Sequence, residues 1–278
     1  MAHIFLCIPN AMPGNMDVFE IAPKLQTLEF GGMHAEADTP FPKENLSFFS
    51  DARPVLGHDT VRKYLDIITS TPGLTMFFYF HYDSTIPESP SKHHPQIVHQ
   101  SLRTLSTVLG PLIDSLMPPG LLRLTVKSCM RFGNAFNCPE DTLSHIYNLV
   151  VHSECSLAAL SFVGAVMDDN LLPLLQLTPW LILLSFEWYS PVPSEESDGA
   201  MKSVFLDMSK SNSRVLEMPW INVCGRGFHL PFINNNDFCL EKLKSLQDDG
   251  LELCLDLDDL EDHSSLEDMY NSGSEDGE

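Results

Sequence analysis

The chain has 278 residues, of which 44% are hydrophobic and 9% aromatic, and this composition suits a folded protein with a sizeable core. Its formal net charge is -22 and its pI is about 4.6. Because nucleic acids and anionic membranes are bound through clustered lysine and arginine, we expect neither as a partner. The seven cysteines are irregularly spaced and include no C-x-x-C pair, which favours reduced thiols in a cytoplasmic or nuclear protein.

Two apolar stretches are shorter than a signal peptide core and a membrane-spanning helix require. The N-terminal run at residues 4–8 has no basic residue before it and is too short for the core of a signal peptide. The most apolar stretch, LTPWLILLSF at residues 177–186, is interrupted by Pro179 and falls short of the ~20 apolar residues of a membrane-spanning helix. We therefore interpret it as one copy of a repeated, buried strand.

A nine-residue pattern recurs along the chain. TPGLTMFFY at 71–79 and TPWLILLSF at 178–186 both fit T-P-x-L-x-x-[LF]-x-[FY]. APKLQTLEF and PPGLLRLTV fit the same frame, and ECSLAALSF fits it with Cys in place of Pro. HQSLRTLST fits less well, and KENLSFFSD is marginal. Intervals of 19 to 36 residues with L-x-x-L-x-L are typical of an irregular leucine-rich repeat. The leading leucines are Leu25, Leu46, Leu74, Leu102, Leu121, Leu157 and Leu181.

Amphipathic segments precede several of the predicted strands. Residues 59–69, 141–151, 169–178, 198–210 and 237–249 carry apolar side chains at helical spacing, and Asn170 is a candidate N-cap. Because helices and strands alternate, we predict a parallel sheet. The predicted fold is α/β, an irregular leucine-rich-repeat-like solenoid with a parallel sheet on one face and helices on the other.

The C-terminal part of the chain is strongly acidic. Four leucines at 251, 253, 255 and 257 alternate with acidic residues and one cysteine, which predicts a half-buried strand that caps the solenoid. Residues 248–278 contain thirteen Asp and Glu and no Lys or Arg, which leaves a net charge of only about -9 for the rest of the chain. We therefore expect one domain at 1–258 and an acidic disordered tail at 259–278.

No catalytic or metal-binding motif stands out in the sequence. It contains no G-x-S-x-G and no G-x-G-x-x-G. His81, His93, His94 and His99 lie within nineteen residues but without a carboxylate or thiolate at ligand spacing, so we interpret them as solvent-exposed loop residues. We expect no metal, no cofactor, no catalytic residues and hence no enzymatic activity.

The face of the sheet opposite the leucines is the candidate binding surface. Residues between the buried positions of each strand point to this face. Three large apolar residues in the strand at 76–80 predict an exposed row there, which marks either a binding patch or a surface that a loop covers. Two cations on the same face can pair with the acidic tail or with a partner's carboxylates. The candidate residues are Met76, Phe78, Phe80, Arg123, Lys127 and Glu187.

The order of the motifs resembles a known family. FEIAPKLQTLEFGG, SLRTLSTVLGPLIDSLMPPGLLRLTV, VHSECSLAALSF, LLQLTPWLILLSF and LEKLKSLQDDGLELCLDL together resemble the C-terminal leucine-rich-repeat-like region of the large F-box protein families of mushroom-forming (Agaricomycete) fungi. The resemblance covers most of residues 17–258. In that family an N-terminal F-box docks onto a cullin-type ubiquitin ligase through a linker subunit, and the repeats are thought to recruit substrates.

The resemblance implies a non-enzymatic protein–protein interaction module, similar to the substrate-recognition region of a ubiquitin-ligase adaptor. No F-box precedes the first repeat in this sequence, so the linker subunit of the ligase is an expected partner only if an F-box lies upstream. One alternative is a truncated or drifting paralogue, a gene fragment with no ligase role. Another, with less support, is an unrecognised α/β enzyme.

Overall fold

The computed structural model describes residues 2–7, 24–31, 42–52, 60–79, 95–108, 110–127, 130–131, 134–135, 142–164, 168–188, 203, 220–226 and 252–258. Its helices are α1 (Thr60–Ser70), α2 (Gly110–Asp114), α3 (Thr142–Ser153) and α4 (Leu171–Leu177). Its strands are β1 (Ala2–Cys7), β2 (Leu25–Gly31), β3 (Phe48–Asp51), β4 (Met76–Tyr79), β5 (Ile97–Val98), β6 (Thr104–Thr107), β7 (Leu116–Met117), β8 (Arg123–Lys127), β9 (Met130–Arg131), β10 (Asn134–Ala135), β11 (Ala159–Val163), β12 (Leu183–Trp188), β13 (Trp220–Arg226) and β14 (Glu252–Asp258).

Ten of these strands form one parallel sheet, and their order in the sheet follows their order in the chain: β1-β2-β3-β4-β6-β8-β11-β12-β13-β14. Every pair of neighbours in this sheet is parallel. The predicted α/β class with a parallel sheet is therefore confirmed. The predicted helices at 198–210 and 237–249 and the acidic tail at 259–278 lie outside the described residues, apart from Ser203.

The repeat frame locates the strands. All seven leading leucines are buried, with exposed fractions between 0% and 2%. In six of the seven repeats the strand begins two residues after this leucine, and in the first repeat the strand begins on the leucine itself. Burial of the leading leucine therefore fixes where each strand starts and which of its residues face the core.

The Thr-Pro pair of the frame joins a helix to the next strand. The hydroxyl of Thr71 donates to the carbonyl of Ile67 (2.7 Å) in the last turn of α1, and the N–H of Leu74 donates to the carbonyl of Thr71 (3.1 Å). Thr178 and Leu181 repeat the second contact after α4 (3.1 Å). The threonine thus satisfies a carbonyl that a helix C-terminus leaves free, while proline is suited to follow because it cannot continue the helix.

The junctions between strands repeat as well. The carbonyl of Ser47 accepts hydrogen bonds from two successive N–H groups, those of Thr75 (2.8 Å) and Met76 (3.0 Å). Carbonyls at the same position of the next four strands bind in the same way, with N–O distances of 2.8–3.0 Å. Five consecutive junctions therefore share one backbone geometry, although their side chains differ. The other four carbonyls belong to Thr75, Arg103, Leu122 and Ala158.

One hydrophobic core joins the sheet to the helices. The buried face of the strands packs on side chains of all four helices, including Tyr64 of α1 and Ile146 of α3. Neighbouring helices contact one another in chain order, α1 with α2, α2 with α3 and α3 with α4. The four helices therefore follow one another beside the sheet in the same order as the strands.

Two local predictions are corrected by the structure. Asn170 occupies the N-cap position of α4 but makes no capping hydrogen bond with its side chain, and its own N–H donates to Oδ1 of Asp168 (2.7 Å). His99 is buried rather than exposed to solvent, because its ring replaces a backbone group of the turn before β6. The other three histidines of that group lie outside the described residues.

The ring of His99 bridges two repeats. Its Nδ1 accepts from the N–H of Leu102 (3.1 Å), and its Nε2 lies 3.0 Å from the carbonyl of Thr71. The neutral tautomer protonated on Nε2 satisfies both backbone groups. In the turns before β4 and β12 a carbonyl accepts the equivalent N–H of the leading leucine.

Candidate protein-binding face of the sheet

Alternating burial gives the sheet two different faces. In β8, Leu124 and Val126 are buried, whereas Arg123 is exposed and Thr125 and Lys127 are partly exposed. The strands β2 and β12 alternate in the same way. We call the less buried side, opposite the helices, the open face. All the candidate binding residues that the structure describes lie on it.

The parallel register aligns the open-face residues in rows that run across the strands. Two complete rows run from β2 to β12. The first row contains Thr27, Phe48, Met76, Thr104, Arg123, Ala159 and Leu183. The second row contains Glu29, Ser50, Phe78, Ser106, Thr125, Ser161 and Ser185.

An apolar patch lies at the β3–β4 end of these rows. The rings of Phe48 and Phe78 are 5.3 Å apart, and Met76 beside them is 37% exposed. Met76 and Phe78 were predicted for this surface, whereas Phe80 lies outside the described residues. Phe48 was not singled out, although its position two residues after a leading leucine was a usable signal. We call Phe48, Met76 and Phe78 the apolar patch.

The predicted charged residues form a second group. Arg123 shares the first row with Met76, and one strand, β6, separates them. Lys127 and Glu187 lie in a third row with Val163 between them. Four strand spacings of about 4.8 Å separate β4 from β12, so Met76 lies roughly 19 Å from the strand of Glu187. The structure therefore places the predicted residues on one face but not in one compact site.

Burial affects the lysine of this group. Burial lowers the pKa of Lys127, because a half-buried ammonium loses hydration, and the negative charge of Glu187 partly opposes that shift.

Small hydroxyl residues fill most of the second row. Serine or threonine occupies it in β3, β6, β8, β11 and β12. Ser106 of β6 differs from the other hydroxyl residues of this row, since it is only 1% exposed and its hydroxyl makes no hydrogen bond. The open face is therefore covered at Ser106, whereas Thr104 of the same strand is partly exposed and Met76 and Arg123 on the neighbouring strands are exposed.

Among the described residues, no group of three or more His, Cys, Asp or Glu side chains is arranged to hold a metal ion. Within the same part of the chain, no helix has the length and apolar character needed to cross a membrane. The chemistry that the open face offers is apolar contact at one end and charged side chains at the other.

Comparisons with protein-family models, with curated proteins and with solved structures find no match for this chain.

Proposed function

We propose that the chain is a non-enzymatic protein-interaction module, an irregular leucine-rich-repeat-like solenoid whose open face binds a protein partner. Three features support the solenoid: strands that follow one another in chain order, helices that contact in the same order, and one backbone geometry at five junctions. In a repeat protein each unit contacts mainly its neighbours, which produces this order.

The apolar patch is the observation that carries the proposed function. An exposed methionine lies beside two partly exposed phenylalanines on the side of the sheet away from the helices. Aromatic residues, methionine and arginine are enriched in protein–protein interfaces, while exposed apolar groups cost free energy in a protein without a partner. The patch and Arg123 together favour a protein partner.

The strand order supports binding over catalysis on an α/β scaffold. Enzymes with open parallel sheets bind their ligands where the strand order reverses, since a crevice forms at that point. The ten strands described here follow one another without such a reversal. The sheet offers a broad surface instead, which suits a macromolecule better than a small substrate.

The open face is tested by affinity capture of partners with the full chain and with Phe78→Ser, Arg123→Glu and Glu187→Lys. Partners that bind the open face are recovered with the wild type and lost with at least one of these variants. Tyr147→Ser is the matched control, because Tyr147 is exposed on α3, on the helix side. Urea unfolding must show that the three variants remain folded. A stability loss as large as that of the core variant Leu184→Ala would place these residues in the core and contradict the proposal.

A role in ubiquitin ligation follows only from the resemblance to F-box proteins. The 5′ end of the transcript decides it: an in-frame F-box upstream of Met1 would make the chain the substrate-recognition part of a ligase adaptor. A start at Met1 would remove that role and leave a stand-alone interaction module. The remaining alternative, a drifting gene fragment, predicts poor folding, and a soluble chain that unfolds cooperatively would count against it.

A further inference from the structure

A second exposed surface lies along the N-terminal ends of the strands. The residue directly after each leading leucine occupies this edge, which we call the rim. Hydrogen bonds place rim residues of neighbouring strands side by side, for example from the N–H of Ala158 to the carbonyl of Leu122 (2.8 Å) and from the N–H of Ile182 to the carbonyl of Ala158 (2.8 Å). The rim consists of Gln26, Ser47, Thr75, Arg103, Leu122, Ala158 and Ile182.

Large apolar side chains are exposed at one end of the rim. Leu122 of the β8 repeat and Ile182 of the β12 repeat are 44% and 55% exposed. Trp180, in the turn that leads to Ile182, is 71% exposed. In the turns before β3, β4, β6, β8 and β11 the position of this tryptophan holds Asn, Gly, Ser, Gly and Ser, so the turn itself does not require a large side chain. Tryptophan is also among the residues that contribute most to protein–protein binding.

Two arginines lie beside these apolar residues. Arg103 is on the rim, and Arg123 follows the rim residue of the next strand, with its N–H bonded to the carbonyl of Arg103 (3.0 Å). Nη1 of Arg103 donates to the carbonyl of Gly120 (2.8 Å), and a Cβ at position 120 would overlap the guanidinium. Glycine in that turn therefore leaves room for this hydrogen bond, which restrains Arg103 and lowers the entropic cost of using it in binding.

The charge of this surface is opposite to that of the chain. The seven rim residues and the seven residues of the first open-face row include two arginines and no carboxylate. The chain as a whole has 38 acidic and 16 basic residues. The carboxylates nearest to the rim in sequence, apart from the second-row Glu29 and the buried Asp51, are Glu44 and Glu154, which lie in turns. The distance from Arg103 to Ile182 is three strand spacings, roughly 14 Å, which an extended segment of about four residues covers.

We propose that the rim from Arg103 to Ile182, together with Trp180 and Arg123, binds an acidic segment of another protein in which Asp or Glu lies next to a large apolar side chain. The carboxylates pair with Arg103 and Arg123, and the apolar side chain packs on Trp180, Ile182 and Leu122. Charge complementarity selects such a segment over neutral or basic ones. This inference rests on the proposed interaction function and specifies the chemistry of the partner.

A display library of random 16-residue peptides, selected on the immobilised full chain, tests the inference without a known partner. We expect the selected peptides to be enriched in Asp or Glu beside Leu, Phe, Met or Trp. In fluorescence polarisation, their binding should fall at least tenfold with Arg103→Glu plus Arg123→Glu and at least tenfold with Trp180→Ser. Tyr147→Ser, an exposed aromatic site on α3, should leave it unchanged. Exchange of the peptide carboxylates for lysine should restore binding to the doubly reversed variant.

The possible outcomes separate the two proposals. Peptides that are lost on Phe78→Ser but unaffected by the rim variants would overturn the rim and leave the proposed function standing. Selection of no peptide, with both surfaces intact, would count against both. Three results would assign the rim to a different occupant and overturn the proposal: binding to phosphatidylserine vesicles that needs Arg103, self-association abolished by Trp180→Ser, or equal affinity for a synthetic peptide of residues 259–270.

Discussion

Two halves of the sheet use the same frame with different core side chains. In the aromatic half, β2 to β4 and α1 bury the rings of Phe30, Phe49, Tyr64, Phe77 and Tyr79, whose neighbouring centroids are 4.3–6.4 Å apart. In the aliphatic half, β8 to β12 with α3 and α4 bury mainly leucine, and one stacked ring pair lies among the described residues. That pair is Phe162 and Phe186, 5.5 Å apart.

The two halves also differ in one buried row. Phe30, Asp51 and Tyr79 are aligned in the aromatic half, and Val126, Phe162 and Phe186 are aligned in the aliphatic half. Asp51 is fully buried, and the hydroxyl of Tyr64 donates to its Oδ2 (3.1 Å). The frame thus sets which positions are buried, whereas neighbouring side chains decide whether a polar group is tolerated there.

The largest expected effect comes from truncation of aligned core positions in the two halves. Phe77→Ala should cost ~3–5 kcal/mol and Leu184→Ala ~2–5 kcal/mol in the free energy of unfolding, since both side chains are fully buried. Leu183→Ala, one residue away on the open face, should cost far less. Urea unfolding measures all three changes. An equal cost for positions 183 and 184 would show that the faces of β12 are wrongly assigned.

A smaller effect is expected from the buried hydroxyl of the aromatic half. Tyr64→Phe removes the donor to Asp51 and should lower the free energy of unfolding by ~1–3 kcal/mol, because a buried carboxyl oxygen then loses one of its partners. Tyr147→Phe, on the exposed side of α3, should change stability by less than about 0.5 kcal/mol. Equal stability of the two variants in urea would mean that the hydrogen bond contributes nothing net.

Much of this arrangement follows from local sequence, and some of it does not. The seven leucines and the starts of six strands were predictable because alternation at a fixed offset from a buried leucine depends only on neighbouring residues. The burial of His99 was not, since its ring replaces a carbonyl of the turn through contacts that span two repeats. Asp51 likewise reads as a surface residue until Tyr64 is placed beside it.

Part of the candidate site was likewise predictable from the sequence, and part was not. The open-face position of Met76, Phe78, Arg123, Lys127 and Glu187 followed from strand alternation. Their separation into two groups follows from the parallel register, which the repeat intervals alone do not give. The exposure of Trp180 was also missed, because the sequence showed only a variable position of the frame.

Backbone conformation provides a weaker test, within the aliphatic half. Glu154 ends α3 with a φ of 52°, and its N–H donates to the carbonyl of Val150 (3.1 Å). Glycine is favoured at such a helix end, so Glu154→Gly should stabilise the protein by ~0.5–1 kcal/mol. Gly164 has a φ of 68°, and Gly164→Ala should destabilise it by at least ~1 kcal/mol. Thermal unfolding measures both variants. A higher Tm for Glu154→Gly and a lower Tm for Gly164→Ala would support both assignments, and shifts of the same sign would contradict one of them.

The smallest expected effect is the pH dependence contributed by Lys127 of the aliphatic half. Burial lowers the pKa of Lys127 below its usual 10.5 in the folded state. At pH values between the lowered pKa of the folded state and 10.5, the unfolded chain binds more protons than the folded one. The free energy of unfolding therefore rises with pH in this range. Lys127→Met should remove this rise in urea titrations up to pH 10.5. Glu187→Gln should extend it to lower pH, because loss of the carboxylate lowers the lysine pKa further, and an unchanged profile would show that the two side chains do not interact.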